Sequence, residues 1–154
     1  MAREYGWAPI GERAHDDKPG KRGRNISVLG TLTLQGLGAV MTLEGAVDGV
    51  AMLAYIQEVL APTLKPKDIV FMDNLSSHKY RGIREAIEAT GAQVVYLPPY
   101  SPDLNPIELC WSQLKTLLRS AAARTREALD DAIAEAMKCI TGSDAAGWFR
   151  HAGY

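Results

Sequence analysis

The chain has 154 residues, 17 Lys and Arg against 18 Asp and Glu, 47% hydrophobic residues and two cysteines. This is the length of one domain with a core of its own, and a charged fraction of 23% beside so many apolar residues excludes a disordered acidic or basic tail. Two cysteines exclude a disulfide scaffold, no CxxC pair points to zinc, and neither a membrane helix of about 18–20 apolar residues nor a signal peptide is visible, so the expectation is a soluble cytoplasmic domain without a membrane partner.

Residues 1–24 hold six bases and four acids among Gly and Pro, with no periodicity, and read as an irregular basic lead-in. Ile26, Val28, Leu32 and Leu34 then alternate with Ser27, Thr31 and Thr33, the pattern of a strand with one polar face. Gln35-Gly36 makes a turn and Leu37–Leu43 returns, which predicts an antiparallel hairpin. Asp48 caps a predicted helix that runs to about Leu60, with Val50, Leu53, Ala54 and Leu60 on its buried side and Pro62 as its end.

Ile69–Met72 and Val94–Leu97 are short, continuously apolar runs, as expected of strands covered on both faces. Between them Ile83, Ala86, Ile87 and Thr90 share a helix face that Gly91 stops. Strand, helix and strand at this spacing predict a parallel pair with a right-handed crossover. Farther on, Ile107, Cys110, Trp111, Leu114, Leu117 and Leu118 form one helical stripe. Leu129, Ala132, Ile133, Ala136, Met137 and Ile140 form another, closed by Gly142, with Trp148 and Phe149 closing over it. Cys110 and Cys139 read as packed thiols and Trp111 as core. The sum is a mixed α/β sheet flanked by helices.

Asp73 follows directly on a buried strand, at the carboxyl end where ligands gather in open α/β sheets. The plainer reading is that Asp73-Asn74 turns the chain. Pro98, Pro99, Pro102 and Pro106 fall within nine positions and make a stiff brace that delivers the next helix at a set place. Asn105 suits the N-cap and Pro106 the first helical position, and Glu108 then stands where a capping box would use it. Glu108, Ser112, Lys115 and Arg119 also share one face opposite the apolar stripe. No acid occurs from Trp111 to Arg126, while Lys115, Arg119, Arg124 and Arg126 do. An acid beside a basic row suits a metal-dependent enzyme that grips phosphates.

Thirty-four residues separate Asp73 from Glu108. With this interval, DIVFMDNLSSHKY and LPPYSPDLNPIE resemble the catalytic domain of DDE transposases of the Tc/mariner superfamily, in particular its bacterial insertion-sequence branch. Tyr5-Gly6-Trp7-Ala8-Pro9, Gly11-Glu12-Arg13 and the terminal WFRHAGY extend the likeness over nearly all of residues 1–154. The resemblance implies a ribonuclease-H-like fold and two-metal phosphoryl transfer, with Asp73 and Glu108 as catalytic and metal-holding residues for Mg²⁺ or Mn²⁺. Asn74, His78 and Asn105 would support them, and Lys115, Arg119, Arg124 and Arg126 would meet DNA. It implies transposon-end and target DNA as partners, a homo-oligomer or pairing with another transposase chain, and a bacterial cytoplasmic location, nucleoid-associated when bound to DNA.

Two features depart from the family pattern. The family's first carboxylate lies on a strand upstream of the segment like YGWAP, where only Met1, Ala2, Arg3 and Glu4 stand, and no helix-turn-helix region precedes it. Glu4, Glu12, Asp16, Asp17, Glu44 and Asp48 are out of place for that role. The expectation is therefore a partial catalytic domain over 1–154, without its first, central strand and inactive alone. The alternative is a non-catalytic remnant or regulator that binds DNA or a partner transposase. The chain has no GxxxxGK, GxGxxG or GxSxG, which excludes the common nucleotide-binding and α/β-hydrolase signatures.

Overall fold

The predicted hairpin forms as Ile26–Thr33 (β1) and Gly36–Glu44 (β2), paired antiparallel. It belongs to a computed structural model that describes residues 9–13 and 25–154. The basic lead-in, apart from a turn at Pro9–Arg13, and the Tyr5–Ala8 segment lie outside the described residues. The register shifts between Leu29 and Thr31, where β2 carries one residue more and Ala39 takes a φ of 45°. Such a bulge re-aims side chains on both sides of it. Leu29, Ala39 and Met41 pack on one core cluster, while Val28, Leu32, Leu37 and Val40 pack on a second.

Asp48 caps the first helix as expected, accepting from the Ala51 N–H at 2.8 Å. Gly49–Tyr55 (α1) widens into a π turn at Ile56–Leu60 and tightens into a 3₁₀ turn at Ala61–Thr63. Its buried side is Met52, Tyr55, Ile56 and Leu60, whereas Val50 is 61% exposed and Ala54 is exposed, against expectation. The larger side chains win the buried position because they remove more apolar surface from water. Pro62 sits inside the 3₁₀ turn and does not end the helical segment, since a first-turn residue has no N–H obligation there.

Ile69–Met72 (β3) and Gln93–Tyr96 (β4) pair in parallel, Ile69 opposite Gln93 and Met72 opposite Tyr96, with Ile83–Glu88 (α2) in the crossover. Among the described residues only one face of this pair is covered. Met72 and Val94 are buried and Val70 half-buried, while Ile69, Phe71 and Val95 are 52%, 42% and 40% exposed. The C-terminal helices that would cover the outer face pack on the hairpin instead. Among the described residues the end of the chain reaches across, with Tyr154 edge-on to Phe71 at 5.1 Å and to Phe149 at 5.9 Å.

Ile107–Ala121 (α3) and Arg126–Cys139 (α4) keep the predicted stripes. Cys110, Leu114 and Leu118 meet Ile133, Ala136 and Ile140 in the second cluster, with Trp111 and Trp148 against it. Gly142 opens a further helix, Gly142–His151 (α5), and does not merely stop α4. Thr141 and Asp144 form a reciprocal capping box there, which lets a glycine stand at a helix start. Trp148 and Phe149 therefore ride on the last helix. Cys139 is exposed, unlike buried Cys110.

The strands make two separate two-stranded sheets, β1–β2 and β3–β4, and both add side chains to the cluster built on α1. No described helix is long and apolar enough to cross a membrane.

Candidate active site

Asp73 leaves β3 and turns the chain in the plain manner that Asp and Asn favour: its Oδ1 accepts from the Leu75 N–H at 3.1 Å. A 3₁₀ turn at Ser76–Lys79 then brings His78 back, with Nδ1 2.5 Å from the same Oδ1. From the neighbouring strand, Tyr96 donates its hydroxyl to the His78 carbonyl at 2.9 Å. The turn and the approach of His78 to Asp73 are thus parts of one local structure. Asp73 Oδ2 has no protein partner among the described residues, and Asn74 Oδ1 is buried without one.

The proline brace begins where Leu97, buried, donates its N–H to the Met72 carbonyl at 2.8 Å and so prolongs the parallel ladder by one bond. Tyr100 follows, fully exposed with a φ of 58°. After a 3₁₀ turn at Pro102–Leu104, the Leu104 carbonyl accepts from the Tyr154 hydroxyl at 3.1 Å. The expected cap does not form. Pro106 takes the N-cap position, α3 begins at Ile107, and no side chain caps it. Only the Asn105 carbonyl serves the helix start, accepting from the Glu108 N–H at 3.1 Å. The carboxylate of Glu108 is therefore not spent on a capping box.

Asp73, Asn74, Asn105 and Glu108 line one cavity of about 380 Å³, walled by Leu97–Pro102. His78 reaches it only through Asp73. Sequence reasoning missed Tyr96 as the anchor of His78; the sole signal was a polar-tipped aromatic at a strand end.

None of the four predicted DNA-facing bases lines the cavity. Lys115 is exposed on α3, Arg119 is partly buried on the same helix, and Arg124 is exposed between α3 and α4. Arg126 is committed elsewhere: its guanidinium donates to Asp130 at 2.7 Å and to Thr42 of β2 at 2.8 Å. The Asp130 bond also pushes its pKa above the ordinary arginine value.

Among the described residues no group of three or more His, Cys, Asp or Glu could share a metal ion. Glu12, Glu44 and Asp48 lie away from the cavity, and Asp48 is occupied as the cap of α1. What the cavity offers is two carboxylates and an unpartnered amide oxygen, all hard donors that suit Mg²⁺ or Mn²⁺.

The sequence model of the DDE superfamily endonucleases matches residues 1–130. The chain belongs to that family. No curated protein matches this DDE domain in sequence. Among solved structures it is similar to the Mos1 strand transfer complex, at a TM-score of 0.74 and 18% identity, over 99% of this chain and 46% of that one. It is likewise similar to the Mos1 mariner paired-end complex with Mn, at 0.65 and 18%, over 99% and 47%. A pre-cleavage Mos1 transpososome gives 0.74 and 15%, again over 99% and 47%. What these share with the DDE domain is the fold, so the mixed α/β, ribonuclease-H-like architecture expected from the sequence stands. The chain spans just under half the length of the Mos1 chains it matches.

Proposed function

We propose that this DDE domain is the catalytic portion of a transposase that moves DNA by metal-dependent strand cleavage and strand transfer. The observation that carries this reading is the meeting of Asp73 and Glu108 in one cavity beside the orphaned Asn74 oxygen. These three groups would hold Mg²⁺ or Mn²⁺, which when bound supplies charge to the attacking and leaving oxygens of a phosphodiester. His78, itself fixed by Tyr96, orients the Asp73 carboxylate and leaves Oδ2 for the metal. The proline brace sets where Glu108 stands. Lys115, Arg119 and Arg124 supply positive charge for the phosphates of transposon-end and target DNA, and Arg126 serves the fold. Assembly into a homo-oligomer, or with another transposase chain, belongs to the same proposal.

Among the described residues two carboxylates line the cavity, a set that holds a metal pair weakly, and the same proposal has these 154 residues inactive alone. Calorimetry should show Mn²⁺ binding that Asp73→Ala and Glu108→Ala each abolish, with no nicking of supercoiled DNA. Unchanged Mn²⁺ binding in both variants would overturn the site, and nicking that Asp73→Ala abolishes would overturn the inactivity. The two-carboxylate cavity also favours a second reading, a non-catalytic DNA- or transposase-binding regulator. Salt-dependent DNA binding that persists in Glu108→Ala, without any metal binding, would decide for it.

A further inference from the structure

We infer that Tyr154 is a positioning residue for the cavity of Asp73 and Glu108. It ties the proline brace ahead of Glu108 to the strand that leads to Asp73. The segment WFRHAGY lines no part of that cavity. It closes α5 in a Schellman turn: Gly153, with a φ of 91°, donates its N–H to the Arg150 carbonyl at 3.2 Å, and Tyr154 donates its N–H to the Phe149 carbonyl at 3.0 Å. The residue after the glycine of such a turn frequently packs on the last helical turn, as Tyr154 does on Phe149.

Any apolar side chain would complete that turn, and a tyrosine does two things more. Its ring stands edge-on to Phe71 at 5.1 Å, and Phe71 lies two residues before Asp73 on β3. Its hydroxyl donates to the Leu104 carbonyl at 3.1 Å, 50 positions away in sequence, and Leu104 lies four residues before Glu108. One side chain therefore touches both segments that lead into the cavity. Prolines fix the shape of the brace, but not its place against another strand. Bonds from outside supply the place: the Leu97 N–H on the Met72 carbonyl at one end of the brace, and the Tyr154 hydroxyl on the Leu104 carbonyl at the other. Asn105 follows Leu104 and lines the cavity with Glu108, so a brace that slips at Leu104 displaces both. A tyrosine spans such a gap with two side-chain torsions and so loses little conformational freedom. The contacts involve no metal; only their consequence for Mn²⁺ rests on the proposed function.

Amide hydrogen exchange and Mn²⁺ calorimetry on the full chain test the tie in Tyr154→Phe, which keeps the ring and loses the donor, and in Tyr154→Leu, which loses both. Thr125→Ala is the control, since it removes a cap bond of comparable worth from α4 and lies in neither segment. In Tyr154→Phe the Leu104, Asn105 and Glu108 amides should exchange about twofold to tenfold faster, the size of one neutral hydrogen bond. The amides of residues 153 and 154 should keep their wild-type rates, and Mn²⁺ should bind more weakly by a similar factor. Tyr154→Leu should exceed Tyr154→Phe in both readouts, and Thr125→Ala should lower Tm with neither change. Wild-type rates at the three amides in Tyr154→Phe overturn the tie. Faster exchange with unaltered Mn²⁺ affinity, or equal weakening by Thr125→Ala, leaves Tyr154 a structural role and overturns the positioning. A wild-type chain that binds no Mn²⁺ overturns the metal site proposed above, and the tie then stands or falls with the three amides.

Discussion

The hairpin tip touches the α4–α5 junction so closely that glycine chemistry there becomes a measurable quantity. Gly36 has a φ of +118°, and a Cβ added to it would lie 2.9 Å from the Ile140 carbonyl oxygen. At Gly142 a Cβ would lie 2.8 Å from the Leu34 carbonyl oxygen, without a positive φ. Gly45 has a φ of +94° and open space around it, and Gly38 has neither constraint. The four alanine variants thus separate handedness from contact. A left-handed backbone costs an L-residue about 1–2 kcal/mol, and crowding against a fixed carbonyl about 1–3 kcal/mol. Gly36→Ala should lose about 2–5 kcal/mol, Gly45→Ala about 1–2, Gly142→Ala about 1–3, and Gly38→Ala should be neutral or gain up to about 1 kcal/mol from a less flexible unfolded chain. For a domain of this size the Gly36 loss corresponds to a Tm lower by roughly 5–15 °C. Urea melts followed by circular dichroism, at constant m-value, report the four differences. A Gly36→Ala stability within about 0.5 kcal/mol of Gly38→Ala, or above that of Gly45→Ala, would refute the close approach.

Burial pushes the Cys110 thiol up to about 11 and encloses it, whereas Cys139 is exposed. Iodoacetamide at pH 8 should label Cys139 within minutes and Cys110 only in urea; mass spectrometry of the digested chain checks it. The Thr141 hydroxyl and N–H hold the Asp144 carboxyl below its ordinary range. The stability from that bond is fully present above the unfolded pKa near 4 and is lost as pH falls through the lower, folded value. Thermal melts from pH 7 to 2 should show wild type losing its advantage over Asp144→Asn within that acid window, and an advantage that grows on acidification would contradict the cap.

The parallel βαβ unit and the stripes of α3 and α4 were legible because local pattern and tertiary burial agree there: Ile83 and Ile87, or Cys110, Leu114 and Leu118, recur at helical spacing and all are buried. Asp73 and Glu108 were legible as a pair through their interval and the proline brace, and one cavity gathers them with Asn74 and Asn105, while His78 stands outside its lining. Other features depend on distant partners. Nothing local tells that Arg126 reaches Thr42, 84 residues away, or that Ile69 and Phe71 stay largely exposed among the described residues. Gly142 reads as a stop signal, and only Thr141 with Asp144 turns it into a start. Asn105 stands at the cavity wall and not at the cap because Pro106 takes the N-cap and the helix starts one residue later, at Ile107, a shift that local pattern does not resolve.

The two cavity acids ride on different cores. Asp73 follows Met72 of the cluster on α1, while Glu108 lies between Ile107 and Cys110 of the cluster on α3 and α4. Their separation is therefore a property of how two packed bodies sit against each other, with the segment from Leu97 to Pro106 as the strut between them. A rotamer change at either acid adjusts that separation only locally, whereas repacking at Ile87 or Ile133, far from any substrate, moves one acid relative to the other. Small volume changes in either core should thus shift the spacing of the two carboxylates before they threaten the fold.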